Sequence, residues 1–128
     1  MAAHGQLVQL LSGARRMLVF TGAGISTGSG IPDFRGPNGV WKTRQPVYFH
    51  DFVRSEAARV EHWDFKLESW PVFRDAEPTA AHHAIADLER AGRVELVVTQ
   101  NIDGLHERAG TAPQRLVEIH GTNAAVEC

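Results

Sequence analysis

The stretch TGAGISTGSGIPDFRG, Thr21 to Gly36, constrains the fold more than any other part of the chain. Glycines at 22, 24, 28 and 30 and a proline at 32 forbid a long helix there. The run before it, MLVFT from Met17 to Thr21, is short and apolar and reads as a buried strand entering a tight turn. A strand that meets glycine at once lets backbone N–H groups approach an anion closely. A helix starting near Ile25 would aim its positive end at the same place, and Ser26 and Thr27 could add hydroxyl donors. The chain then leaves the cradle early, as a loop carrying Asp33, Phe34 and Arg35: a charge, a ring and a cation. The spacing alone is ambiguous. The dinucleotide fingerprint asks for glycine at position 27, where Thr27 stands, and glycines after a strand also occur in plain turns.

The rest of the chain supplies the company such a loop needs. Residues 4–14 carry Leu7, Leu10 and Leu11 at helical spacing, with Gly13 as a stop. GPNGVW is turn-rich and without a regular period. Residues 50–73 read as two helices, with a break near Ser55 and a stop at Pro71. Thr79 is the candidate N-cap of TAAHHAIADLERAG, whose apolar face is Ala81, Ile85 and Leu88 and whose terminal glycine is Gly92. VELVVT, Val94 to Thr99, is a second buried strand, IDGLHERAG a short helix closed by Gly110, and RLVEIHG, Arg115 to Gly121, a third strand. Strands alternating with helices predict an α/β fold with a parallel sheet. Ligands of such sheets bind at the carboxyl ends of the strands, where the glycine loop, TQNID and HGT all fall.

Composition narrows the function. The 128 residues are 43% hydrophobic and 22% charged, with net charge −2, an ordinary globular mix with no electrostatic footprint for nucleic acid or an anionic membrane. MLVF is too short for a signal or membrane segment. The single cysteine, Cys128, excludes an internal disulfide and fits a reducing, cytoplasmic setting.

Beyond the second strand, Gln100, Asn101 and Asp103 offer amide and carboxylate groups that could grip a carboxamide, which both donates and accepts hydrogen bonds. Asn and Asp at such positions also serve simply as helix caps. His120 ends the third strand and could act as a general base, or be a structural histidine. The other histidines show no metal spacing, and His82 and His83 point to different sides of their helix.

Taken together, GAGISTGSGIPDFRGPNGVW, TQNIDGLHERAG and EIHGT, in this order, resemble the sirtuin family of NAD-dependent protein deacylases over roughly residues 5–128. PTAAH, with Pro78 and His82, matches a family pattern read as structural. The resemblance implies a Rossmann-like parallel sheet with a helical insert over about residues 42–77. It implies an NAD site in which Gly22, Ala23, Gly24 and Ser26 cradle the diphosphate and Pro32, Asp33, Phe34 and Arg35 lie on the closing loop. Phe34 would shield the reactive ribose carbon from water, and Arg35 would orient substrate and cofactor. Gln100 would contact the nicotinamide ribose. Asn101, Ile102 and Asp103 would hold the carboxamide, and His120 would be the general base. Acyl-lysine proteins or peptides would be the substrates, with nicotinamide and an acylated ADP-ribose as products.

HDFVRS, His50 to Ser55, with Trp63 and Trp70, resembles the branch of lipoamidase-type sirtuins and their bacterial relatives. Trp63 and Lys66 stand where the desuccinylating branch has a Tyr-x-x-Arg pair, which disfavours strong desuccinylation. Cys128 matches the first ligand of the family's zinc ribbon. Zinc wants four ligands, so three more cysteines would have to come from a longer chain. The expectation is therefore the N-terminal half of a sirtuin, with the zinc module beginning near residue 128. Protein ADP-ribosylation by the same residues and a non-catalytic NAD-binding fragment are the rival readings. A dehydrogenase half-domain is disfavoured by Thr27 and SGIPDFR.

Overall fold

The computed structural model describes residues 2–37 and 39–127. Its elements in chain order are α1 (Ala2–Gly13), β1 (Met17–Thr21), a 3-10 segment (Ala23–Ser29), a 3-10 turn (Val40–Lys42), α2 (Phe49–Arg54), α3 (Glu56–Asp75), α4 (Ala80–Arg90), β2 (Val94–Thr99), α5 (Leu105–Arg108), a 3-10 turn (Pro113–Arg115) and β3 (Leu116–Glu118). They divide into two units, Met1–Gly22 with Pro78–Cys128, and Ala23–Glu77.

The first unit holds the sheet. β1, β2 and β3 lie side by side in that order, all parallel, as the alternation of strands and helices predicts. Register pairs Val19 with Val97, Thr21 with Thr99 and Val98 with Val117. Because side chains alternate along a strand, this register sorts them by face. Val97 and Thr99 are buried on one face, whereas Leu18 and Phe20 on the other are 68% and 60% exposed, with Val117 open beside them. The α4 helix forms under a full capping box: Thr79 Oγ1 accepts from the His82 N–H, and His82 Nδ1 accepts from the Thr79 N–H at 3.1 Å. That box turns His82 inward, and Ala86 one turn on is buried with it. The face is thus rotated from the expected one, and Ala81 is exposed. Leu7 and Leu10 of α1 are also exposed, although the helix itself is where the leucine spacing puts it. Its last turn is held by Arg93, whose Nη1 donates to the Leu11 and Ser12 carbonyls. The third strand is shorter than expected. Its start is taken by the 3-10 turn, and a turn closed by the Gly121 N–H on the Glu118 carbonyl ends it before His120.

The second unit holds the helical segment. Ser55 separates α2 from α3 as predicted and caps α3 by accepting from the Ala58 N–H. Pro71 does not stop the helix, which runs on to Asp75. An interior proline removes its own N–H bond and crowds the carbonyl four residues back, here that of Leu67, yet the last turn still forms, with the Ala76 N–H on the Val72 carbonyl. Arg44 pairs with Glu68 at 2.9 Å and lies over the Phe65 ring at 4.7 Å. Ser29 Oγ donates to the Glu77 carbonyl, tying together the two ends of the segment.

Candidate functional site

In the sheet unit, residues following β1, β2 and β3 are fastened to one another. The Gln100 N–H donates to the Thr21 carbonyl, continuing the ladder one residue past β2. Asn101 is buried and held twice: its N–H donates to Thr99 Oγ1 at 3.0 Å, and its Nδ2 donates to the Gly22 carbonyl at 3.1 Å. Neither bond is a helix cap, so Asn101 spans from the second strand to the glycine turn. Asp103 Oδ1 accepts from the Leu105 N–H, an Asx-type turn around Gly104, which is itself the N-cap of α5. The Ile102 carbonyl accepts from the Asn123 N–H.

His120 lies in the turn beyond β3, exposed, with Nδ1 2.9 Å from the Gln100 carbonyl. A carbonyl can only accept, so Nδ1 carries the proton. The neutral ring then presents Nε2 as a bare acceptor. The nearby Glu118 carboxyl is pushed up by burial, then by the neighbouring charges of Glu107 and Asp103.

Beneath these residues lies a buried pair that the sequence reading passed over. His82 and His106 pack edge to face, centroids 4.8 Å apart. His106 Nε2 is 2.8 Å from Thr21 Oγ1, and the Thr21 hydroxyl donates to Thr99 Oγ1 at 2.9 Å. Burial pulls His106 down to about 4, with His82 adding and Asp103 opposing, and burial lowers His82 as well. His82 Nε2 and His106 Nδ1 are buried with no hydrogen-bond partner among the described residues. His82 was visible in PTAAH, and His106 lies within TQNIDGLHERAG, although no role was assigned to it.

In the other unit, the short helix expected near Ile25 starts at Ala23 and runs to Ser29, and it is wound as a 3-10 helix. Gly30, at φ 83°, ends it in a conformation that favours glycine. Ser26 is fully buried. The Thr27 hydroxyl donates to the Gly24 carbonyl, so it serves the loop's own backbone instead of standing ready as a donor. Gly24 is exposed, with open space where a Cβ would stand. Past exposed Pro32, the loop folds on itself. Asp33 Oδ1 accepts from the Gly36 N–H, and the Val40 and Trp41 N–H groups donate to the Asp33 and Phe34 carbonyls. Trp41 stacks on Phe34 at 5.1 Å, a support the sequence reading did not assign. A Cβ on Gly39 would stand 2.5 Å from the Phe34 carbonyl, so this position admits only glycine without a shift. Arg35 is exposed. Along α3, burial lowers the Lys66 ammonium, and burial together with the Lys66 charge lowers His62.

Residues 22–128 match the model of the Sir2 family. The chain belongs to the Sir2 family. Among curated Sir2 relatives it is 44% identical over 123 residues to the "NAD-dependent protein deacetylase" of Rhodopseudomonas palustris, covering 96% of this chain and 49% of that protein. Among solved structures it matches one described as "Structural Basis for the Mechanism and Regulation of Sir2 Enzymes", with TM-score 0.76 and 42% identity over 91% of this chain and 45% of the other. Another, "Sir2-p53 peptide-NAD+", gives TM-score 0.77 and 39% identity over 91% and 45%. This Sir2 chain therefore spans about half the length of the curated relatives it matches. Cys128, the expected first zinc ligand, lies outside the described residues. Among those described, no three or more His, Cys, Asp or Glu gather to hold a metal ion, and no helix is long and apolar enough to cross a membrane.

Proposed function

We propose that this Sir2 chain serves NAD-dependent protein-lysine deacylation, of the deacetylase type, on acyl-lysine proteins or peptides in the cytoplasm. The observation that carries the reading is the His120 ring: its Nδ1 proton is committed to the Gln100 carbonyl, which leaves Nε2 to take a proton from a sugar hydroxyl. The names of the relatives and the NAD-bound Sir2 neighbour support it.

The residues present fit NAD. Gly22, Ala23, Gly24 and Ser26 would hold the diphosphate, and the open space at Gly24 suits bare backbone meeting an anion. Asn101, Ile102 and Asp103 would hold the carboxamide, which needs both donors and acceptors. Gln100 would meet the ribose. When bound, NAD supplies the ribose carbon that loses nicotinamide and takes the acyl oxygen. Phe34, backed by Trp41, would exclude water from that carbon. Pro32 and Asp33 would shape the loop, and Arg35 would orient the reactants. Zinc enters only through Cys128 and ligands supplied by a longer chain.

In the full protein, His120→Ala should cut peptide deacylation by about 10²–10⁴-fold, the range for removing a general base. Asp103→Asn should weaken nicotinamide exchange. Wild-type deacylation in the first variant together with wild-type exchange in the second would remove the assignment.

A further inference from the structure

The geometry points to His106 as a positioning residue that fixes Asn101 through two threonine hydroxyls. The inference rests on the reading of Asn101 as part of the carboxamide pocket. Four groups from three elements form one directional chain. Thr21 gives its hydroxyl proton to Thr99 Oγ1. Its oxygen, 2.8 Å from His106 Nε2, is then left to accept, so His106 carries its proton on Nε2. Thr99 Oγ1 also receives the Asn101 N–H. The second anchor of Asn101, the Gly22 carbonyl, belongs to the residue directly after Thr21. These two attachments of Asn101 therefore lead to Thr21, and His106 holds Thr21 from α5.

Burial makes this hold rigid. His106 is 1% exposed, Thr99 2% and Asn101 8%, with Thr21 half-buried between them, so three of the four members are shielded from competing water. The ring is kept neutral by the same burial, which suits a single-proton donor. His82 braces the ring edge to face from α4, and its own proton is assigned to Nε2 because Nδ1 accepts from the Thr79 N–H. His106 touches neither substrate nor cofactor in this scheme. It acts through Thr21 and Thr99.

The test is amide hydrogen exchange at Asn101 in the full protein, with the Val97 amide of β2 as internal reference. His106→Leu should speed exchange at Asn101 at least tenfold relative to Val97, whereas His106→Gln, which restores a donor, should retain most of the protection. Thr21→Val, nearly isosteric, should reproduce the loss if His106→Leu does not fold, and Thr21→Ser should restore it. Nitrogen NMR of the wild-type ring should find the proton on Nε2. Wild-type protection at Asn101 in Thr21→Val, or a ring protonated on Nδ1 alone, overturns the proposal. A direct titration of Asn101→Ala with nicotinamide tests the pocket separately. Unchanged nicotinamide affinity there, with Asn101 exchange still following Thr21 and His106, would sink the pocket reading and leave the positioning role standing.

Discussion

Two imidazoles, His82 and His106, sit inside the sheet unit, buried among Val94, Val97, Leu105 and other core positions. Both are held below the ordinary histidine value of 6.5, His106 to about 4. As pH falls from 6.5, the unfolded chain takes up protons that the folded rings refuse. Stability is therefore lost as pH falls through the window from 6.5 to about 4, and the loss levels off below it. His106 alone would remove roughly 3 kcal/mol across that window. Urea unfolding at a series of pH values should show the slope, and His106→Gln should flatten it; a pH-independent midpoint between 4.5 and 7 would contradict the burial argument. This pair also marks the limit of reading residues from sequence. His120 and Asn101 stood out because they follow predicted strands into the expected ligand edge. His106 is functional only through contacts with Thr21 and His82, which lie 85 and 24 positions away and which no local period reveals.

At the scale of elements, local chemistry was legible wherever a single residue type dictates the backbone. Thr79 caps the helix it was expected to cap, Ser55 stands at the expected break and caps α3 as well, and Gly30 ends the loop helix. The misses arise where several forces compete. Pro71 was read as a stop because proline opposes helix, yet α3 has fifteen residues of helix before it (Glu56 to Trp70) and continues past it. Ala81 was assigned to the buried face because alanine is apolar; the capping box instead turned His82 inward. The 3-10 form of Ala23–Ser29 follows from a glycine-rich stretch too short to repay the wider turns of an α-helix. Pro71→Ala gives the Leu67 carbonyl back its donor, and it should stabilise α3 by up to about 3 kcal/mol, the cost of an interior proline. Far-UV circular dichroism during thermal unfolding would register the gain, and an unchanged or lower midpoint would show that the proline is accommodated at no cost.

For the whole molecule, the informative comparison is one of length. The chain spans about half of its curated Sir2 relatives, and one face of its parallel sheet, with Leu18, Phe20 and Val117, is open. The order and direction of the strands were readable from the alternation of elements, but which face would be covered was not, since a short apolar strand looks the same whether one or both faces are packed. On its own, the 128-residue chain should bind NAD weakly and show little deacylation. Calorimetric titration with NAD and a peptide assay check this, and full-enzyme turnover by the isolated chain would refute it. The open face has a further thermodynamic signature. A 128-residue chain with an ordinary covered core changes its heat capacity on unfolding by about 1.5–1.9 kcal/mol/K. Side chains already in water contribute nothing to that change, so scanning calorimetry of the isolated chain should return a value below this range. A small heat-capacity change means a broad, shallow stability curve: this sheet would owe less of its stability to temperature-sensitive apolar burial, and cooling would weaken it less than it weakens a closed domain of the same size.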